Sequence, residues 1–184
     1  MNRSAVTRHL TLPNQLTLLR LLLVPVIGYT LTATWSYHDQ VSVAVYAGAA
    51  ATDTIDGRIA RSRQLVSELG KFLDPLVDKI LVITVLAILV GENLVPFWVV
   101  VVIFSREFVI TGIRFIAAGQ GVVVGSTPWG KSKTVTQSLM IGLLILEQPY
   151  PALRPAAVAF VVIAVVATVA SGLDYLWRYR RFVT

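Results

Sequence analysis

At 184 residues the chain is 55% hydrophobic and only 14% charged, with a mean hydropathy of +0.72, a balance that excludes an ordinary soluble domain and indicates a membrane protein. Six spans of about 20 residues take up about 120, leaving short loops, so the expected fold is all-α: a polytopic bundle of six transmembrane helices forming a single domain over residues 1–184. The absence of cysteine excludes disulfides, thiolate metal sites and cysteine nucleophiles, and a formal charge of +6 in so apolar a chain indicates loops beside anionic lipid, not nucleic acid.

Residues 1–13, with Arg3 and Arg8, are too few to fold alone and are expected to lie as a short interfacial segment on the membrane. No small-residue cleavage site follows, which argues for a retained helix over a signal peptide. Pro13 and Asn14 have the look of a helix start, with Asn14 as N-cap. Apolar stretches then run over 16–34, 41–55, 75–91, 94–113, 134–147 and 156–176. With both termini cytoplasmic, the inner side holds Arg3, Arg8, Arg58, Arg61, Arg63, Lys71, Lys131, Lys133, Arg178, Arg180 and Arg181, and the outer loops hold only Arg154. The asymmetry predicts a cytoplasmic-membrane protein with its termini and the loops after spans two and four inside. The outer turns fall at 35–40, 91–93 and 147–155.

Chemistry concentrates at the second cytoplasmic loop. Asp53 and Asp56 are three apart at the end of span two, and Asp74 and Asp78 four apart at the start of span three, so each pair shares a helical face. Four carboxylates at one membrane boundary raise one another's pKa values unless cations neutralise them. Hard oxygen donors without His or Cys point to Mg²⁺ or Mn²⁺, with two ions expected. A solvated acidic loop, or carboxylates paired with Arg58, Arg61 and Lys79, is the plainer alternative. Gly57 and Ala60 follow Asp53 by four and seven positions, giving that face little bulk, so a flat group can approach its backbone. Small residues also serve close helix packing. Arg61 is placed to contact a phosphate, and Gly70 is a second small position.

Together Asp53, Asp56, Gly57, Ala60, Arg61, Gly70, Asp74 and Asp78, with two residues between the first two Asp, eight between Arg61 and Gly70 and three before each of the last two Asp, resemble the complete signature of the CDP-alcohol phosphotransferases. The resemblance implies a six-helix, homodimeric membrane enzyme that displaces CMP from a CDP-linked lipid with a hydroxyl acceptor and a divalent metal. It makes the four Asp metal ligands and Asp78 the catalytic base. "LPNQLTLLRLLLVP", with Asn14, Thr17 and Arg20, and "GKSKTVTQ", with Lys131, Lys133 and Gln137, resemble the branch whose acceptor is glycerol 3-phosphate or phosphatidylglycerol. "SREFVITGIR" and "SGLDYL" lean toward glycerol 3-phosphate. The implied CDP-diacylglycerol site comprises Asn14, Thr17, Arg20, Asp56, Gly57, Ala60, Arg61 and Gly70. The expected reaction transfers the phosphatidyl group to glycerol 3-phosphate, giving phosphatidylglycerophosphate and CMP. Alternatives are a cardiolipin-forming or inositol-phosphate-using member and, in a different class, a small transporter, although no two-half symmetry supports the last.

Charge inside span four supports a phosphorylated acceptor. Arg106 and Arg114 are eight apart, about 80° around a helix, so both can face one cavity, where intramembrane charge normally points. Arg106, Arg114, Lys131 and Lys133 are therefore the expected acceptor-phosphate ligands. The competing reading pairs Glu107 with Arg114, seven residues on, between packed helices, and leaves Lys131 and Lys133 to set topology.

Overall fold

A computed structural model of the chain describes the backbone of residues 12–62, 68–120 and 128–180, and the side chains of 17–52, 76–117, 119–120 and 132–180. The described residues form six α-helices and no strand: α1 Leu12–Leu31, α2 His38–Ser62, α3 Glu68–Gly91, α4 Phe97–Gly119, α5 Pro128–Leu146 and α6 Arg154–Tyr179, the last preceded by a 3-10 turn, Pro151–Leu153. The all-helical expectation holds. Among the described residues, one helical segment, Pro151–Tyr179, is long and apolar enough to cross a membrane; Thr17–Leu31 and Ser132–Leu146 are shorter apolar helices. The interfacial segment expected over residues 1–13 lies outside the described residues except for Leu12 and Pro13, which are helical. Asn14 is inside α1 and is not its N-cap, because proline is accepted in a first helical turn, where its missing N–H costs nothing.

The chain divides into two compact units, residues 1–88 and 89–184. In the first, α1 packs on α2. The buried positions of α1 include Thr17, Arg20, Ile27, Thr30 and Leu31, whereas Leu18, Leu19, Leu21, Leu22 and Val26 are exposed. Polar groups inside and leucines outside reverse the order of a water-facing helix. Across the α1–α2 seam, Ser42 Oγ lies 2.8 Å from Thr30 Oγ1 and 2.7 Å from the His38 carbonyl, so both buried hydroxyls are satisfied within the pair. Gly28 admits Ile88 of α3: a methyl group at 28 would stand 3.8 Å from Ile88 Cδ1, in ordinary contact.

The end of α3 shows how a tight turn between helices is made. Asn93 has φ 58°, its N–H donates to the Val90 carbonyl at 3.0 Å, and the Leu94 N–H donates to the Leu89 carbonyl at 2.9 Å. This is the Schellman arrangement, which uses a left-handed residue to satisfy the last carbonyls of a helix. Asparagine tolerates that conformation better than other residues with a side chain, so Asn93, and not Gly91, turns the chain.

In the second unit α6 packs against both α4 and α5. Its buried residues are Ala157, Ala164, Thr168, Ser171, Gly172 and Tyr175, mostly small, which lets neighbouring helices approach closely. Met140, Ile141, Leu144 and Ile145 of α5 are fully buried, while Val158, Val162, Val166, Val169 and Leu173 of α6 are exposed. As in α1, hydroxyls are inside and branched aliphatics outside.

Candidate active site

All eight positions of the carboxylate motif fall on helix. Asp53, Asp56, Gly57, Ala60 and Arg61 occupy the final turns of α2, and Gly70, Asp74 and Asp78 the first turns of α3. In α-helical backbone Asp53, Gly57 and Ala60 lie within an arc of about 60°, and Asp74 and Asp78 are about 40° apart. The connecting residues 63–67, Arg63 among them, lie outside the described residues, as do the side chains of every motif position except Asp78. Asp78 is half-buried. Of the first-helix residues, Thr17 and Arg20 are each 1% exposed and, three apart, share the buried face of α1; the side chain of Asn14 is outside the described set.

Two basic residues of the second unit, Arg106 and Lys133, are joined through Glu107. Glu107 Oε1 accepts from Arg106 Nη1 at 2.9 Å and from Lys133 Nζ at 2.5 Å. The three side chains are largely buried, at 12%, 20% and 9% exposure for Arg106, Glu107 and Lys133, and their formal charges sum to +1. The pairing of Glu107 with Arg114 does not occur. Glu107 instead bridges its chain neighbour to the first turns of α5, and the Arg114 Nε donates to the Tyr175 hydroxyl at 3.1 Å, with its guanidinium 5.6 Å from the Tyr175 ring centroid. Two arginines almost a quarter-turn apart both reach α6: Arg106 lies against Gly172, where a methyl group would stand 3.2 Å from its Cγ, and Arg114 against Tyr175. Sequence spacing therefore identified the shared side of α4 but not its partners.

Beside this cluster the Gln137 amide donates to Thr168 Oγ1 at 3.0 Å, and Ser171 Oγ donates to the Thr168 carbonyl at 3.0 Å. Gln137, Thr168 and Ser171 are all buried. The Arg106 Nε is buried with no hydrogen-bond partner, an arrangement that costs about 1–3 kcal/mol unless an acceptor arrives. The side chain of Lys131 lies outside the described residues. Neither Gly172 nor the Glu107–Lys133 bond has a signature in local spacing, and Gly172 is one small residue among many in an alanine-rich helix.

Carboxylates at the end of α2 and the start of α3, and a buried Arg–Glu–Lys cluster in the second unit, are the residue types that phosphate chemistry uses. The model of the CDP-alcohol phosphatidyltransferase family matches residues 10–170, and the chain belongs to that family, whose members are transferases. It is 40% identical to the CDP-diacylglycerol–glycerol-3-phosphate 3-phosphatidyltransferase of Bacillus subtilis, over 89% of this chain and 92% of that one. The protein of the same name from Pseudomonas fluorescens is 36% identical over 91% of this chain and 89% of its own. An Arabidopsis thaliana protein, CDP-diacylglycerol–glycerol-3-phosphate 3-phosphatidyltransferase 2, is 30% identical over 94% and 82%.

Proposed function

We propose that this chain is a membrane enzyme that transfers the phosphatidyl group of CDP-diacylglycerol to sn-glycerol 3-phosphate, releasing CMP and forming phosphatidylglycerophosphate. Near-full-length similarity to relatives that carry this activity in their names supports both substrates. The observation that carries the choice of acceptor is the buried Arg106–Glu107–Lys133 cluster, with net positive charge and a buried guanidinium N–H that has no hydrogen-bond partner. It suits a phosphate monoester better than an uncharged alcohol.

The acceptor hydroxyl attacks the phosphorus that bears the diacylglycerol, and the bond to the CMP oxygen breaks in line with it. Asp78 takes the hydroxyl proton. Gly57 and Ala60 leave the face of α2 open to the cytidine diphosphate, Arg61 contacts its phosphates, and Asn14, Thr17 and Arg20 complete the donor side. The carboxylates of Asp53, Asp56, Asp74 and Asp78 are a donor set that fits Mg²⁺ or Mn²⁺, all hard oxygen on two helices. A divalent pair bound there supplies charge neutralisation for the diphosphate and the leaving CMP. Arg106, Arg114, Lys131 and Lys133 hold the acceptor phosphate.

Exposed leucines and valines over buried hydroxyls in both α1 and α6, with Arg20 also buried in α1, support a bilayer as the surrounding medium, since only there is the outward apolar face favourable. We read the six helices as six spans of a single domain in the cytoplasmic membrane, assembled as a homodimer, with the termini and motif inside. Cysteines introduced as Ser62→Cys and Ser132→Cys are expected to react with an impermeant maleimide only from the cytoplasmic side, and Ser36→Cys only from outside; the native chain has no cysteine to confuse the readout. External labelling at position 62 would reverse the orientation.

Acceptor identity is tested by supplying purified protein, CDP-diacylglycerol and Mg²⁺ with glycerol 3-phosphate, inositol 1-phosphate, serine or phosphatidylglycerol in turn. CMP release is expected with glycerol 3-phosphate. Selective use of phosphatidylglycerol would make the enzyme a cardiolipin synthase, and no release with any acceptor would remove the phosphatidyltransferase reading.

A further inference from the structure

Glu107 is the one member of the buried cluster that has no use as an acceptor ligand, since its carboxylate would repel a phosphate. Its position is nevertheless specific. A single oxygen, Oε1, takes hydrogen bonds from Arg106 on its own helix and from Lys133 on α5. Without it two buried cations would converge unscreened, an arrangement strongly disfavoured in a medium of low dielectric. The other end of Arg106 is constrained as well. Its stem runs over Gly172 of α6 so closely that a methyl group there would meet Cγ at 3.2 Å, tighter than normal packing allows without movement. Arg106 is thus held at its head by a carboxylate and at its stem by a missing side chain, while its Nε remains buried and unpartnered.

We propose that Glu107 and Gly172 are positioning residues for the acceptor phosphate. Glu107 tethers Arg106 and Lys133 so that their remaining N–H groups are presented together, and Gly172 clears the path that lets Arg106 stand there. Neither touches the acceptor. This inference rests on the acceptor reading above and assigns the two residues that make the cation pair a preformed site, which lowers the ordering cost of binding a small anion.

The test compares Glu107→Asp, Glu107→Gln and Gly172→Ala with the wild type, measuring KM for glycerol 3-phosphate and for CDP-diacylglycerol, kcat, and thermal melting in detergent. Aspartate keeps the charge but withdraws the carboxylate by about 1.5 Å, one C–C bond, so it cannot hold both cations. Its KM for glycerol 3-phosphate is expected to rise about tenfold or more, with KM for CDP-diacylglycerol changed by less than about twofold. Glutamine retains Oε1 with two lone pairs and should give a smaller rise, about threefold. Gly172→Ala, which displaces Arg106 without altering any charge, should raise the same KM about fivefold at near-native melting. If Glu107→Asp fails to fold, Gly172→Ala and Glu107→Gln decide the matter. Equal changes in both KM values, or unchanged glycerol 3-phosphate KM in well-folded variants, would reduce Glu107 to a helix-packing ion pair and overturn the proposal. A wild type that turns over CDP-diacylglycerol but ignores glycerol 3-phosphate would overturn the acceptor reading and this inference with it, an outcome visible before any variant is made.

Discussion

Asp78→Asn is expected to abolish CMP release, and Asp74→Asn to do the same, while both proteins insert and accumulate normally. Each exchange removes a charged oxygen donor with little change in shape, and at position 78 it also removes the proposed base. Chelation of the wild type should be equally complete and reversed by Mg²⁺, whereas Mg²⁺ should not rescue the variants. A variant retaining more than about a tenth of wild-type turnover would have lost less than about 1.4 kcal/mol of barrier stabilisation, too little for an essential ligand or base. That result would move the base to another residue. Both positions lie within the first three turns of α3, away from the apolar remainder of the helix, so loss of activity with normal accumulation is the informative pattern.

Removal of the Arg106 guanidinium should produce the largest selective effect on the acceptor. Arg106→Gln is expected to raise the glycerol 3-phosphate KM by about tenfold or more, because a charge-assisted hydrogen bond contributes about 1.5–3 kcal/mol, and to leave the CDP-diacylglycerol KM nearly unchanged. Arg61→Gln should show the opposite preference. Arg114 differs from both: it is bonded to the hydroxyl of Tyr175, itself 1% exposed, so Arg114→Gln also removes the partner of a buried phenol and should lower the melting temperature. Pairing it with Tyr175→Phe, which removes that hydroxyl, separates the two contributions. Equal kinetic effects of Arg106→Gln and Arg61→Gln on both substrates would contradict the division into donor and acceptor residues.

Hydropathy located all six helices but missed four of their ends by six or seven residues, all on the side expected to be cytoplasmic. The apolar runs stop at 55 and 113 and begin at 75 and 134, whereas α2 continues to Ser62, α4 to Gly119, and α3 and α5 start at Glu68 and Pro128. At the other side the ends of α1 through α5 agree within three residues. The extended ends are those assigned to the cytoplasm and bear Asp56, Arg61, Asp74 and Lys131. Charge ends an apolar pattern without ending a helix, since backbone hydrogen bonding continues past the apolar run and Lys and Arg are good helix formers. The motif therefore stands on helix, as the three- and four-residue spacing of its carboxylates indicates, although the apolar runs alone end short of it. The spacing of Arg106 and Arg114 correctly gave a shared side of α4 but could not choose among partners for Glu107. Lys133 won because it approaches from another helix, and such proximity has no signature in local spacing. Gly172 was invisible for the same reason: its importance lies in the Arg106 stem that crosses it.

Three successive contacts on one edge of α6 act as a ratchet with every tooth engaged. Thr168 holds Gln137, Gly172 seats Arg106, and Tyr175 holds Arg114, at intervals of four and three residues that keep them in line. A slide of α6 by one turn, about 5.4 Å, would disengage all three at once, and a rotation would replace them with the valines of its outer edge. Motion of α6 along its axis by a turn therefore carries the loss of all three contacts together. The register of α6 against α4 and α5 is thus set by polar and shape contacts spaced along one edge, and not by its apolar packing alone.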